Sequence, residues 1–295
     1  MSYCKGSYEN LLIYKDIANT SAFDYFISKK DIHYKNTIVC YNGVNIYEAE
    51  WRHERVCVKE IDNNELICNE LLILSKCIHP KIVQFLGFYR GNDKTSILFE
   101  YMDNGNLYEY IKTNTISERQ KISMLLDITK ALHYLHNRYP DIVIHRDLKP
   151  TNILVNKHNE AKLSDFGISK MINKTTSNDY HEHSGEKGTY IWMPPEVLKG
   201  EYYNHTADIY SLGLIMYFIW TETIPFIELN LTTIQLMFKK HSEKLSTKPL
   251  TNFFELNKLI ERCTSYAIDM RPDTVEIINT LSNFLENDYC KENLE

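Results

Sequence analysis

The residues best able to do chemistry lie in one short run. His145-Arg146-Asp147-Leu148-Lys149-Pro150-Thr151-Asn152 is followed, thirteen residues after its last member, by Asp165-Phe166-Gly167. Carboxylate and amide oxygens are hard ligands of the kind Mg2+ prefers, and Asn152 and Asp165 supply them here. Either short motif alone would arise by chance, but eight residues followed by a second motif at this spacing would not. Polar residues that only cap a buried loop do not account for the whole set. Upstream, Val56-Cys57-Val58-Lys59 ends on a lysine, and Glu70 lies nine residues before His79-Pro80. Either of these charges alone would read as ordinary surface.

Together these motifs resemble the eukaryotic-type protein kinase family, over about 31–287. Phosphoryl transfer asks little covalent work of a protein; the phosphates must be positioned, their charge neutralised and the incoming hydroxyl oriented. The resemblance implies that Asp147 accepts the proton of that hydroxyl. It implies that Lys149 neutralises charge on the transferring phosphate, and that Asn152 and Asp165 hold Mg2+. It gives Lys59 the α- and β-phosphates of ATP, with Glu70 as its ion-pair partner. Around the nucleotide it places Val39, Ile46, Cys57, Phe99, Glu100, Met102 and Leu154. Phe99 would gate the back of the pocket, and the backbone of Glu100, Tyr101 and Met102 would bond adenine. Cys57 stands where the family usually has alanine, so its sulfur is expected to narrow the pocket.

The expected activity is transfer of the γ-phosphate of ATP to protein substrates in intracellular signalling. Lys149 within Leu148-Lys149-Pro150-Thr151-Asn152, and Thr189, resemble Ser/Thr rather than tyrosine kinases. Trp51 and Trp192-Met193 resemble the tyrosine-kinase-like branch of the Ser/Thr group. Residues 188–196 resemble the end of an activation segment, with Pro194-Pro195-Glu196 in place of Ala-Pro-Glu and Arg271 as the partner expected for Glu196. Asp208 to Gly213 resemble the start of the central helix of the large lobe. Arg146 is expected to pair with a phosphate added to the segment Asn173 to Ser184, which offers Thr175, Thr176, Ser177, Tyr180 and Ser184, with Thr176 or Ser184 foremost. That expectation brings in an upstream activating kinase as a partner. His181-Glu182-His183 reads as polar surface rather than a metal site.

Elements that must carry these residues are legible in the patterning. Strand-like runs cover 37–61, with a turn at Asn42-Gly43, and continue at 82–89 and 95–102. Between them, 64–77 has apolar residues at helical spacing, and His79-Pro80 bounds that helix. After Asp103-Asn104-Gly105 long helical patterns dominate: 117–136, 206–220 and much of 232–285, with a strand-rich island at 142–165. The expected class is therefore α+β, a two-lobed kinase-like fold. It has a β-rich N-lobe with one main helix (about 31–102) and a larger, mainly helical C-lobe (about 106–287), with a hinge near 100–105. Residues 1–30 are expected to form a partly ordered extension, and 288–295 a tail.

Composition narrows the class further. The chain has 295 residues, 43% hydrophobic and 24% charged, ordinary for a globular protein. Its net charge of −6 and lack of a basic patch argue against nucleic-acid binding. Seven scattered cysteines without a Cys-x-x-Cys pair fit reduced thiols and a cytoplasmic setting. The opening residues lack a charged start followed by an apolar run, so no secretory leader is expected. Ser211 to Trp220 is apolar but about half the length needed to span a bilayer, so a buried helix and no membrane insertion are expected.

One departure stands out. The family's glycine-rich loop would place glycines at Val39, Tyr41 and Val44, and none is glycine, although Gly43 adjoins one position. Glycines there let backbone N–H groups approach phosphates closely. Their loss keeps open a second reading, a kinase-like scaffold with weak or no turnover. Against it, Lys59, Glu70, Asp147, Asn152 and Asp165 are all present.

Overall fold

A computed structural model describes residues 25–41, 43–62, 65–91, 93–173, 189–250 and 252–286. The described chain divides into two compact units, one of 25–103 with 166–168 and one of 104–165 with 169–286.

The first unit is a five-stranded antiparallel sheet and a helix. Strands β1 (Ile32–Tyr41), β2 (Val44–Trp51), β3 (Glu54–Asp62), β4 (Phe85–Arg90) and β5 (Lys94–Glu100) lie in the order β1-β2-β3-β5-β4. Helix α1 spans Glu65–Lys76. Strand β1 starts at Ile32, five residues before the strand-like run begins. His33, Lys35 and Asn36 hide it, and the ladder shifts register between Tyr34 and Asn36 and between Thr37 and Val39, so no clean two-residue period exists. Gly43 has φ +78 between the paired Tyr41 and Val44, the left-handed conformation a tight hairpin requires.

Alternation along β3 sorts its side chains. Val56 and Val58 enter a cluster with Ile27, Ile32, Ala49 and Leu98. The opposite parity belongs to Cys57 and Lys59. The register aligns Val39, Ile46, Lys59 and Ile97 in one row across four strands, and Glu48, Cys57, Phe99 and Phe85 in another.

Residues 25–30 also belong to this unit. Phe26 bridges Phe88, the Ile27 N–H donates to the Phe88 carbonyl at 2.9 Å, and Tyr25 packs on Phe85 with ring centroids 5.0 Å apart. Gly87 permits the approach: its φ is +153, and a Cβ there would lie 2.5 Å from Ile27 Cδ1 and 2.6 Å from the Tyr25 carbonyl oxygen. Gly87→Ala is expected to destabilise the protein by about 1–3 kcal/mol, the scale of overpacking with backbone strain. Chemical denaturation reads the loss.

The second unit is mainly helical: α2 (Leu107–Thr113), α3 (Glu118–His136), α4 (Pro195–Leu198), α5 (Thr206–Thr221), α6 (Thr233–Ser242), α7 (Phe254–Cys263) and α8 (Thr274–Glu286). Ser117 with Gln120 and Thr232 with Gln235 form capping boxes that start α3 and α6. Helix α5 is buried from Ala207 to Ile219, as its unbroken apolar run requires. The helical pattern of 232–285 is divided among α6, α7 and α8, with Pro249 and Pro272 in the connections. Strands β6 (Asp141–Ile144) and β9 (Lys170–Asn173) pair, as do β7 (Ile153–Val155) and β8 (Ala161–Leu163). These two ribbons fix both ends of the loops 145–152 and 164–169. Among the described residues no helix is long and apolar enough to cross a membrane.

Candidate active site

In the first unit, Lys59 donates to Glu70 Oε1 at 2.8 Å. The glutamate is almost fully buried, at 3% exposure, and the lysine is more open. One turn beyond it on α1, Leu74 is buried, which seats the helix and so aims the carboxylate. Cys57 shares the sheet face of Lys59, paired with Phe99 on β5. Burial pushes its thiol up to about 11, with Lys59 opposing, so it is a neutral apolar wall at physiological pH. Val39 and Ile46 occupy the Lys59 row, Val39 being exposed.

The segment after β5 is tied down on one side. The Glu100 N–H donates to the Gln84 carbonyl at 3.0 Å, and the Glu100 carboxylate accepts from the Gln84 N–H at 2.7 Å. Arg55 lies 3.7 Å from the Tyr101 ring centroid and pairs with Asp103 at 3.2 Å and Glu48 at 2.8 Å. Met102 is buried, and neither of its backbone polar groups has a hydrogen-bond partner among the described residues. A backbone edge held by Arg55, with a donor and an acceptor uncommitted at Met102, suits a flat heteroaromatic ring. Arg55 carried no motif, so nothing in the sequence pointed to its part in fixing this edge.

In the second unit, the loop 145–152 is organised around the carboxylate of Asp208 on α5. Asp208 Oδ2 accepts the His145 N–H at 2.9 Å and Oδ1 the Arg146 N–H at 3.0 Å. Oδ2 also lies 2.8 Å from His136 Nε2. Full burial would raise the Asp208 carboxyl, but the His136 hydrogen bond and charge, His145 and the Arg146 N–H outweigh it and hold it below the usual range. The anchor bends the chain, with Arg146 at φ +70, a strained conformation that persists only where its surroundings impose it.

The bend presents Asp147. Its Oδ2 accepts from Lys149 Nζ at 2.7 Å and Asn152 Nδ2 at 2.9 Å, and the same amide donates to the Asp147 carbonyl at 2.9 Å. Asp147 Oδ1 is buried and has no hydrogen-bond partner among the described residues. One carboxylate oxygen is therefore fixed, and the other has no hydrogen bond among the described residues. The Asn152 amide nitrogen is committed to Asp147, so its oxygen takes no part in that pairing.

Ser164 joins this loop to the next. Its N–H and hydroxyl both donate to the Asn152 carbonyl at 2.9 Å, and its own carbonyl meets His145 Nε2 at 2.9 Å. The following residue, Asp165, is exposed and has φ +60. No group of three or more His, Cys, Asp or Glu suited to a metal occurs among the described residues. An amide and one carboxylate fit Mg2+, which keeps several waters and binds through one or two protein oxygens plus substrate phosphates. Leu154 has its neighbours Ile153 and Val155 fully buried while it stays partly open.

Of the residues the sequence singled out, the structure pairs Lys59 with Glu70 and joins Asp147, Lys149 and Asn152 in one network. Arg271 and Glu196 form a buried two-pronged ion pair at 2.6 and 2.9 Å. Asp208 and Ser164 were missed as site residues, since Asp208 reads as a helix start and Ser164 as a neighbour of a motif. Thr175, Thr176, Ser177, Tyr180, Ser184 and His181-Glu182-His183 lie outside the described residues.

The chain matches the family model for the protein kinase domain over residues 43–281. It is 30% identical over 277 residues to Serine/threonine-protein kinase VIK of Arabidopsis thaliana, covering 89% of this chain and 63% of that protein. It is 34% identical over 223 residues to Serine/threonine/tyrosine-protein kinase HT1 of the same plant (74% and 54%), and 36% over 211 residues to its Serine/threonine-protein kinase CTR1 (68% and 25%). The chain thus spans less than two thirds of the length of each of these relatives.

Proposed function

The chain belongs to the protein kinase domain family, and on that premise we propose that it transfers the γ-phosphate of ATP to serine or threonine hydroxyls of protein substrates in intracellular signalling. The observation that carries this reading is the Asp147 carboxylate, with one oxygen fixed by Lys149 and Asn152 and the other unpartnered among the described residues. A carboxylate so oriented takes the proton of an approaching hydroxyl. Lys149, beside it, offsets charge on the phosphoryl group in flight. Lys59, aimed by Glu70, neutralises the α- and β-phosphates, and the Met102 backbone accepts adenine. Asn152 and Asp165 hold Mg2+, which when bound screens phosphate charge.

The non-catalytic reading rests on Val39, Tyr41 and Val44 in place of glycine. An interaction module has no use for an oriented base with one oxygen unpartnered among the described residues, so the catalytic reading is preferred. Cytoplasmic action and an upstream activating kinase belong to the same proposal. Incubation with γ-labelled ATP, Mg2+ and peptides offering either Ser/Thr or Tyr, followed by phosphoamino-acid analysis, tests it. Label on phosphoserine or phosphothreonine is expected; label confined to phosphotyrosine would overturn the assignment of acceptor.

A further inference from the structure

Lys240 on α6 is a fully buried ammonium far in sequence from every motif above. Its Nζ lies 2.5 Å from the Met193 carbonyl oxygen, 2.9 Å from that of Ile191 and 3.5 Å from that of Tyr190. The Ser211 hydroxyl on α5 donates to the remaining carbonyl, that of Trp192, at 2.8 Å. All four carbonyls from Tyr190 to Met193 are thus held by side chains of two helices. An ammonium has three donors and no acceptor, which matches the three carbonyls it meets. The rings of Tyr210 and Phe226 lie 5.0 and 5.6 Å away and add cation–π attraction. Burial pulls the ammonium down to about 7, with the Glu196 carboxylate opposing, so a lysine is held where an apolar side chain would cost less desolvation.

This segment is linked through Tyr203 to the residue before the base. Met193 packs with Val197, Tyr203 and Ala207, with Tyr190 against the same cluster. The guanidinium of Arg146, the residue before Asp147, lies 5.8 Å from the Tyr203 ring centroid. Tyr190–Met193 also directly follows Thr189, whose backbone starts the same 3-10 turn.

We propose that Lys240 is a positioning residue for the protein acceptor, fixing the backbone of Tyr190–Met193 as part of the surface that seats the hydroxyl-bearing peptide. This rests on the kinase reading, because it supposes a peptide acceptor at Asp147. Lys240 touches neither nucleotide nor acceptor; it acts through the segment.

The test compares the full chain with Lys240→Met by steady-state kinetics and by amide hydrogen exchange. Lys240→Met is expected to raise KM for a generic Ser/Thr peptide about tenfold or more while leaving KM for ATP unchanged, a split that general destabilisation would not give. Amide exchange across 190–193 is expected to quicken, with that of α3 unaltered. Unchanged exchange there overturns the proposal, as does a peptide KM that stays constant or rises only in step with that for ATP. Should wild type transfer no phosphate, the kinase reading fails, and the exchange arm alone decides whether Lys240 fixes the segment. Lys240→Gln, which keeps two N–H donors, is read the same way if the methionine variant does not fold, and is expected to show a smaller change.

Discussion

Asp147→Asn is expected to lower kcat for phosphate transfer by about 10²–10⁴-fold, the contribution typical of a positioned general base. An amide cannot take a proton from the acceptor hydroxyl, yet it matches the carboxylate in size and still accepts a hydrogen bond from Asn152. The melting temperature and the KM for ATP should therefore stay close to wild type, since the proposed nucleotide contacts are made by other groups. Lys149 loses its 2.7 Å counter-charge but is partly open to solvent, which limits the stability cost. Steady-state kinetics with thermal melting checks all three quantities. A kcat within about tenfold of wild type would mean that proton transfer is not assisted by this carboxylate.

Asp208→Ala carries the largest expected loss of stability. It strips two backbone N–H groups and His136 of their common acceptor in a fully buried place. Removing one partner of a buried charged network costs about 3–5 kcal/mol. For a chain of this size that lowers the melting temperature by on the order of 10 °C. Activity should fall beyond what the residual folded fraction explains, because the Arg146 bend that presents Asp147 is imposed by this carboxylate.

The pH dependence has a definite sign. The folded carboxyl lies below its ordinary value of 3.8. Its contribution is present above that value and is lost as pH falls through the lower, folded one. Melting curves of wild type and Asp208→Asn should converge as the pH is taken below about 3.8 and stay apart above it. A gap that widens on acidification would show that the aspartate is not the anchor described.

Much of the site was legible because its chemistry is local in sequence. Asp147, Lys149 and Asn152 lie within one turn of chain, and the hydrogen bonds that join them span at most five positions. Lys59 and Glu70 are eleven residues apart, on a strand and a helix whose periods were both readable. Asp208 and Lys240 were not legible in this way. Their partners lie 62 to 72 and 47 to 50 positions away, and each sits in an otherwise ordinary helix. A buried lysine on an amphipathic helix looks like any solvated one until the packing is known. The strands of the first unit were visible where β-branched residues alternate, as in β3. They were obscured where bulges break the period, as at the start of β1. The docking of Tyr25 to Ile27 depends on Gly87, and a glycine inside a strand says only that some backbone comes near.

The most direct measurement is the initial rate of label transfer from γ-labelled ATP to a serine/threonine peptide, with Mg2+, by wild type and by Lys59→Met. The Lys59–Glu70 pair and the oriented Asp147 predict turnover by wild type, even with Val39, Tyr41 and Val44 where glycines would lie, and its loss when Lys59 is replaced. A wild-type rate no greater than that of the variant would contradict the account and leave the chain a kinase fold without the reaction.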